Sequence, residues 1–307
     1  MKKGRIIKLV AGIYTVQDDD KNLYKIKPLG VFRYRNIFPK VGDIVDFNED
    51  NILKVYERAN ELYRPMIANV DQVLLVNSAK QPNFSFLLLD KFLAMIEAFS
   101  IIPVIIVTKI DLMSEKELEK LKSDLSYYEN YFKVVYYSSK TKEGIDDILK
   151  ITENTVNVLA GQTGAGKSSL LNAINPELNL ETNEISKALG RGKHTTRYVE
   201  IYEFGSGYIA DTPGFSKLEF EDFQSDQLKY YYPDFFKLSE KCKFHECNHV
   251  HEPKCEIKRQ VEAGQIPRFR YDNYVTIFNE IKAIKPKYRR DDKWFVHHHF
   301  WVVILIN

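Results

Sequence analysis

Cysteine is scarce in this chain, and tryptophan scarcer: three cysteines and two tryptophans in 307 residues. All three cysteines fall between positions 242 and 255, so no disulfide framework can staple the rest, and a metal site fits them better. Long apolar runs are also missing. The longest, residues 300–306, falls well short of the roughly 20 residues a membrane span needs. The N-terminus is charged but builds no apolar stretch ending in a small-residue cleavage site, which predicts no secretory leader. Low-complexity linkers and internal repeats are absent, and a 44% hydrophobic, 28% charged composition excludes a disordered chain. These absences predict a cytoplasmic, multi-domain protein without membrane attachment.

The net charge of +2 is unevenly distributed. Residues 1–62 carry 12 Lys and Arg against 9 Asp and Glu, residues 226–307 carry 15 against 11, and the middle carries 17 against 22. Basic ends around an acidic centre suit terminal modules that touch a polyanion, although a solvated surface gives the same tally.

Three rhythms divide the chain. Up to residue 62, short alternating runs (5–10, 23–26, 43–47, 52–55) separated by turn residues predict a small β-barrel, OB-type in preference to SH3-like. From 63 to 225, continuous apolar strands at 70–76, 103–107, 133–137 and 155–159 alternate with helices at 86–99 and 114–125. That pattern predicts a parallel sheet covered on both faces. From 226 to 287 the sequence is rich in Cys, His and aromatics and ends in a helix near 271–284, predicting a mostly helical metal-binding unit.

The chemistry-bearing motifs sit in the middle segment. Gly161, Gln162, Thr163, Gly164, Ala165, Gly166, Lys167, Ser168 and Ser169 match G-x-x-x-x-G-K-[ST], with a strand before and a helix after. Backbone N–H groups of such a loop cradle phosphates, Lys167 reaches the β and γ oxygens, and the Ser168 hydroxyl ligates Mg²⁺. Upstream, Thr108, Lys109, Ile110 and Asp111 follow a buried strand. The Asp111 carboxylate can accept both N1–H and the 2-amino group of guanine, a pair adenine cannot offer, while the Lys109 stem lies over the base. Alone, T-K-x-D is an ordinary loop at a strand end. Ser138 and Ser139 close the next strand, where a second base loop should present a backbone N–H to guanine O6. Downstream, Asp211 ends a strand within Asp211-Thr212-Pro213-Gly214, suited to hold Mg²⁺ through water, with the Gly214 N–H on the γ-phosphate. Between them, Gly190–Thr196 reads as a first switch in which Thr195 or Thr196 completes the metal shell.

The order is base reader, second base loop, phosphate loop, first switch, second switch. A standard GTPase places both base elements last, so the order predicts a circularly permuted domain. Phe215 stands where a water-orienting glutamine is usual. His194 is then the candidate to position the attacking water, against a phosphate-contacting or merely exposed histidine. A scaffold that uses GTP only as an occupancy signal is the alternative that Phe215 keeps open, while Asp111 argues against an ATP enzyme.

Cys242, Cys247, His249 and Cys255 supply three thiols and an imidazole within 14 residues, the donor set of a closed structural zinc site. His245 and His251 compete with His249, which the spacing favours.

Together these features resemble the RsgA (YjeQ/YloQ) family of small-subunit-dependent GTPases across residues 1 to about 285. The resemblance rests on Phe38–Asp43, on Arg64–Gln72, on the permuted nucleotide motifs, on Gly190–Thr196 and on the zinc spacing with His249 as ligand. It implies an OB domain, a permuted Ras-like P-loop domain and a zinc domain. It also implies GTP, Mg²⁺ and one structural Zn²⁺, and a monomer acting in late maturation of the 30S subunit with 16S rRNA stimulating hydrolysis. The chain departs from the family in two places. Thr108 replaces a commoner asparagine, losing an amide that braces the phosphate loop, and the tail 288–307 matches nothing expected. Its adjacent histidines rarely converge on one ion, and it receives no function.

Overall fold

The computed structural model describes residues 1–63, 66–174, 200–211, 220 and 223–284, with the side chains of Tyr63 and Asp211 left out. The first 55 residues close into a five-stranded barrel. Its strands are β1 (Lys2–Val10), β2 (Ile13–Asp18), β3 (Leu23–Pro28), β4 (Ile44–Phe47) and β5 (Asn51–Val55), with a short helix α1 (Val31–Tyr34) between β3 and β4. The order 1-2-3-5-4 closes back onto β1, which is long enough to pair with both β2 and β4. A register shift between Ile6 and Lys8 bends β1 so that it serves both neighbours. Alternation places Ile6, Tyr14, Val16, Ile26, Val45, Phe47 and Ile52 inside the barrel. This is the OB arrangement rather than the SH3-like one.

After a small hairpin, β6 (Glu61–Tyr63) and β7 (Met66–Ala68), the α/β rhythm begins. Its elements are β8 (Gln72–Ser78), α2 (Phe86–Ala98), β9 (Ile102–Thr108), α3 (Glu115–Glu129), β10 (Lys133–Tyr136), α4 (Ile145–Ile151), β11 (Val156–Ala160), α5 (Lys167–Ile174), β12 (Glu200–Phe204) and β13 (Gly207–Asp211). Every residue of β8 and β11 is buried, because helices cover both faces of the sheet. The Ser114–Glu117 capping box starts α3 where the sequence signals it.

The sheet order is β10-β9-β8-β11-β13-β12, with only β12 antiparallel. The strand feeding the phosphate loop, β11, lies centrally. The three strands preceding it in the chain flank it on one side, and the two that follow it flank it on the other. Attaching β8–β10 after β13 instead would restore the usual GTPase order without moving a strand, which is what circular permutation means physically.

The barrel joins this sheet edge to edge: β1 pairs with β12 at Lys8↔Glu200, making one sheet of 11 strands. Lys8 pairs with Glu200 at 2.8 Å, and the Tyr208 hydroxyl donates to Gln17 at 2.9 Å.

A 3₁₀ segment (Ser225–Tyr231) leads to α6 (Pro233–Ser239), α7 (Glu256–Glu262) and α8 (Arg268–Ala283). Their core of Leu228, Tyr232, Phe235, Ile257, Tyr274 and Ile277 continues into Ala94 and Met95 of α2. Arg270, 1% exposed, fixes the contact. Its guanidinium grips Asp234 through two bonds (3.0 and 2.9 Å), pairs with Asp90 of α2, and lies 4.1 Å from the Tyr232 ring centroid. Tyr128 of α3 also donates to Asp90, at 2.7 Å. Among the described residues, no helix is long and apolar enough to cross a membrane.

Candidate nucleotide site and metal centre

In an open parallel sheet, ligands bind beyond the carboxyl ends of the strands, where strand order reverses. Here β11 and its neighbour β8 flank that point, and the C-terminal ends of β8, β9, β10 and β11 share one edge. The sequence-predicted phosphate loop follows β11, the T-K-x-D motif follows β9, and the second base loop follows β10.

The phosphate loop turns at Gly161, whose φ of +124° and whose position against the Val76 carbonyl exclude a side chain: a Cβ there would sit 2.1 Å from that oxygen. The following residues curl into α5, which begins at Lys167 and points its N-terminal end at the loop. The Lys167 ammonium donates to the carbonyls of Gly161 (2.6 Å) and Gln162 (2.8 Å), and burial pushes it down to about 8. Ser168 is buried beside it.

The base motif touches this loop directly. Thr108 Oγ1 lies 2.5 Å from Ala165 O and 3.3 Å from Asn77 O, so its single proton goes to the nearer carbonyl. The amide is absent, as the sequence shows, and a hydroxyl makes the contact with the loop in its place. The β9 end lies close enough to the loop for a hydroxyl to do the bridging, and Gly166 keeps that approach open. Lys109 adopts left-handed backbone angles (φ 58°, ψ 33°). Its ammonium reaches across to Gly164 O at 2.7 Å and to Gln81 O.

Asp111 lies in the 3₁₀ turn Ile110–Leu112, with Ile110 buried as its anchor. The buried Ser138 donates its hydroxyl to Asp111 Oδ1 at 2.7 Å. Ser138 Oγ itself accepts the N–H groups of Lys140 and Thr141, both at 3.2 Å, so the second base loop wraps around the carboxylate's brace. The Ser138 N–H is occupied by Glu143 O at 3.1 Å. Ser138 thus meets Asp111 through its side chain, a role not legible in the sequence, and Ser139 is the residue left to present an N–H. Asp211 ends β13, next to β11, and its backbone pairs with Glu200. His194, Thr195, Thr196 and Gly214 lie outside the described residues, as does the tail 288–307.

In the loop between α6 and α7 the four metal-ligand candidates converge. Cys242 Sγ, Cys247 Sγ, His249 and Cys255 Sγ lie within 4.8 Å of one another. His249 Nδ1 is 3.6 Å from Cys242 Sγ and 3.4 Å from Cys255 Sγ. A tetrahedral zinc with bonds of about 2.0–2.3 Å separates its donors by about 3.5–3.8 Å, so the cluster fits that ion. The other ring nitrogen lies 3.0 Å from Ser239 Oγ, which orients the ring. Burial pushes His249 down to about 4, leaving it neutral with a free lone pair. Burial, with the neighbouring sulfurs adding to it, pushes Cys247 up to about 12, a cost that a bound cation reverses. Glu252 accepts the N–H groups of Asn248, Val250 and His251, while Tyr271 and Tyr274 donate to the carbonyls of His249 and Asn248. These bonds hold the loop in place. His245 and His251 stand outside the cluster.

Comparison with known proteins agrees with this geometry. Residues 55–221 match the family model described as RsgA GTPase, and residues 3–56 match the one described as RsgA N-terminal domain. A relative from Halalkalibacterium halodurans named small ribosomal subunit biogenesis GTPase RsgA is 50% identical over 289 residues, covering 92% of this chain and 98% of its own. One of the same name from Bacillus subtilis is 46% identical over 300 residues, covering 94% and 100%. Among solved structures, YjeQ from Thermotoga maritima superposes with a TM-score of 0.82 at 35% identity, over 92% of this chain and 99% of its own. YloQ, described as a circularly permuted GTPase, gives 0.80 at 40% identity over 94% and 97%. With a permuted sheet, a phosphate loop braced by its base motif and a three-cysteine, one-histidine cluster, the chain belongs to the RsgA GTPase family.

Proposed function

We propose that this GTPase matures the small ribosomal subunit: it binds the 30S particle through 16S rRNA, and that contact accelerates its hydrolysis of GTP. The names of its relatives support the partner. The observation that carries the nucleotide reading is the contact of Thr108 and Lys109 with the phosphate loop, which supports one shared site for base and phosphates.

In that site Asp111, braced by Ser138, accepts the guanine N–H pair, and the Ser139 N–H meets O6. The Lys109 stem covers the base. Gly161–Ser169 cradle the phosphates, and Lys167 exchanges its loop carbonyls for β and γ oxygens. Ser168 and, through water, Asp211 would hold Mg²⁺, which neutralises charge developing on the transferred phosphoryl group. Gly214 and Thr195 or Thr196 would sense the γ-phosphate, with His194 positioning water. Cys242, Cys247, His249 and Cys255 would hold a structural zinc. The working units are the barrel, 1–62, the GTPase, 63–225, and the zinc unit, 226–287, in a cytoplasmic monomer.

Phosphate release titrated with purified 30S particles, GTP beside ATP, tests this reading. Selective stimulation of GTP turnover is expected; no stimulation, or equal use of ATP, overturns it.

A further inference from the structure

Where the barrel meets the nucleotide sheet, one row of residues crosses three strands. Lys8 of β1 stands opposite Glu200 of β12, and Glu200 stands opposite Asp211 of β13. Asp211 is the residue proposed to hold Mg²⁺ through water. The row therefore leads from the barrel to the metal side of the nucleotide site in two strand spacings, about 10 Å.

Lys8 is aimed at this row by the register shift in β1. Ile6 faces the barrel interior opposite Val16, and plain alternation would send Lys8 inward as well. The extra residue, Ile7, instead sets Lys8 opposite Thr15, whose neighbours Tyr14 and Val16 are the buried ones. Lys8 thus stands outside the barrel, on the side of β12. Its ammonium lies 2.8 Å from each Glu200 carboxylate oxygen, and the Tyr202 hydroxyl donates to one of them at 3.3 Å. The two side chains are 37% and 27% exposed, so solvent screens the pair only in part.

The other end of the β12–β13 hairpin is held separately. Tyr208, opposite Glu203, has the Lys21 ammonium and the Arg5 guanidinium 5.1 and 5.6 Å from its ring centroid, and Lys21 pairs with Glu203 at 2.7 Å. Of these two grips, that of Lys8 lies in the row of Asp211. That row is the rung at the open end of the hairpin, where a ladder loosens first.

We infer that Lys8 is a positioning residue for GTP hydrolysis: by holding Glu200 it fixes the end of β13, and so sets how well Asp211 serves magnesium. The inference rests on the proposed role of Asp211 and names the barrel residue that acts through it.

The test uses full-length, zinc-loaded protein. Lys8→Met/Glu200→Gln cuts the tie at nearly constant size and unchanged net charge, so no bare anion is left near the metal. The Mg²⁺ concentration that half-saturates intrinsic GTP turnover should rise about threefold or more, while GDP affinity measured in EDTA stays parental. Lys8→Gln/Glu200→Gln, which can still hydrogen-bond across the joint and so protects folding, should raise the Mg²⁺ demand about twofold. Lys8→Arg keeps the ion pair and should match the parent. Lys21→Met cuts the far grip and should leave the Mg²⁺ demand unchanged, as a purely structural joint would not. Asp211→Asn should raise it most. Parental demand in both neutral pairs, with Asp211→Asn raised, would overturn the inference alone. A rise in Lys21→Met equal to that of the neutral pairs would also overturn it, by reducing Lys8 to general scaffolding. If Asp211→Asn leaves the demand unchanged, the metal reading of Asp211 fails and the inference falls with it.

Discussion

Thr108 offers the sharpest test of how the two halves of the nucleotide site hold together. Its side chain is 2% exposed, and its hydroxyl spans from the end of β9 to the Ala165 carbonyl at 2.5 Å. Thr108→Val opens no cavity, removes the proton donor and sets a methyl group against the Ala165 carbonyl, which must draw back. A buried neutral hydrogen bond contributes about 0.5–1.5 kcal/mol net, and a carbonyl left under-satisfied in a dry site costs toward the upper end of about 1–3 kcal/mol. If half or more of that loss falls on the loop shape that binds phosphate, the dissociation constant for GDP rises about three- to tenfold. Thr108→Ser keeps the donor and gives up only the methyl group near Gly166, so its affinity should stay within about twofold of the parent. Titration with a fluorescent guanine nucleotide, alongside thermal melts with and without GDP, reads both numbers. A valine variant with parental affinity, or a serine variant as weak as valine, would refute the brace.

Other consequences follow from the same geometry. Because burial holds Lys167 down at about 8, it is charged at pH 7 and increasingly neutral above pH 8 in the free protein. Binding a polyphosphate must then return the proton, so GTP affinity should fall as pH rises from 8 to 9.5, with proton uptake visible by calorimetry in buffers of different ionisation enthalpy. Gly161→Ala would drive a methyl group against the Val76 carbonyl and force a residue with a Cβ into φ +124°; equilibrium dialysis should show guanine nucleotide binding abolished. Arg270→Met would strand two buried carboxylates, Asp90 and Asp234, at a cost of about 3–5 kcal/mol, seen as a lower midpoint in urea and earlier proteolysis between α3 and α6. Cys255→Ser should reduce bound zinc, measured by elemental analysis, and loosen α6–α8 while leaving GDP affinity intact.

Much of this was legible in the sequence because the signals are local. A buried strand, a glycine-rich turn and a helix start in succession define the phosphate loop within about 20 residues. The three cysteines are so few and so close that their convergence needs no long-range information. Choosing among His245, His249 and His251 was harder, since spacing alone does not show that His249 takes φ +62° and turns Nδ1 toward the sulfurs. Short elements escaped: the β6–β7 hairpin has three-residue strands, and the seven-residue α4 starts from a glycine without a side-chain cap. The Asp90–Arg270–Asp234 network was invisible, because its partners lie 180 and 36 residues apart and read individually as solvated charges. Ser138 bracing Asp111 belongs to the same class, as two strand ends meet only in the folded sheet.

The central claim is that the carboxylate of Asp111 and the ammonium of Lys167, inverted in chain order, face one nucleotide. A crystal structure of the complex with a non-hydrolysable GTP analogue measures this directly. It should show Asp111 within about 3 Å of the guanine N1 and 2-amino nitrogens, and Lys167 within about 3 Å of β- and γ-phosphate oxygens of the same molecule. A nucleotide held by Lys167 with its base turned away from Asp111 would contradict the account.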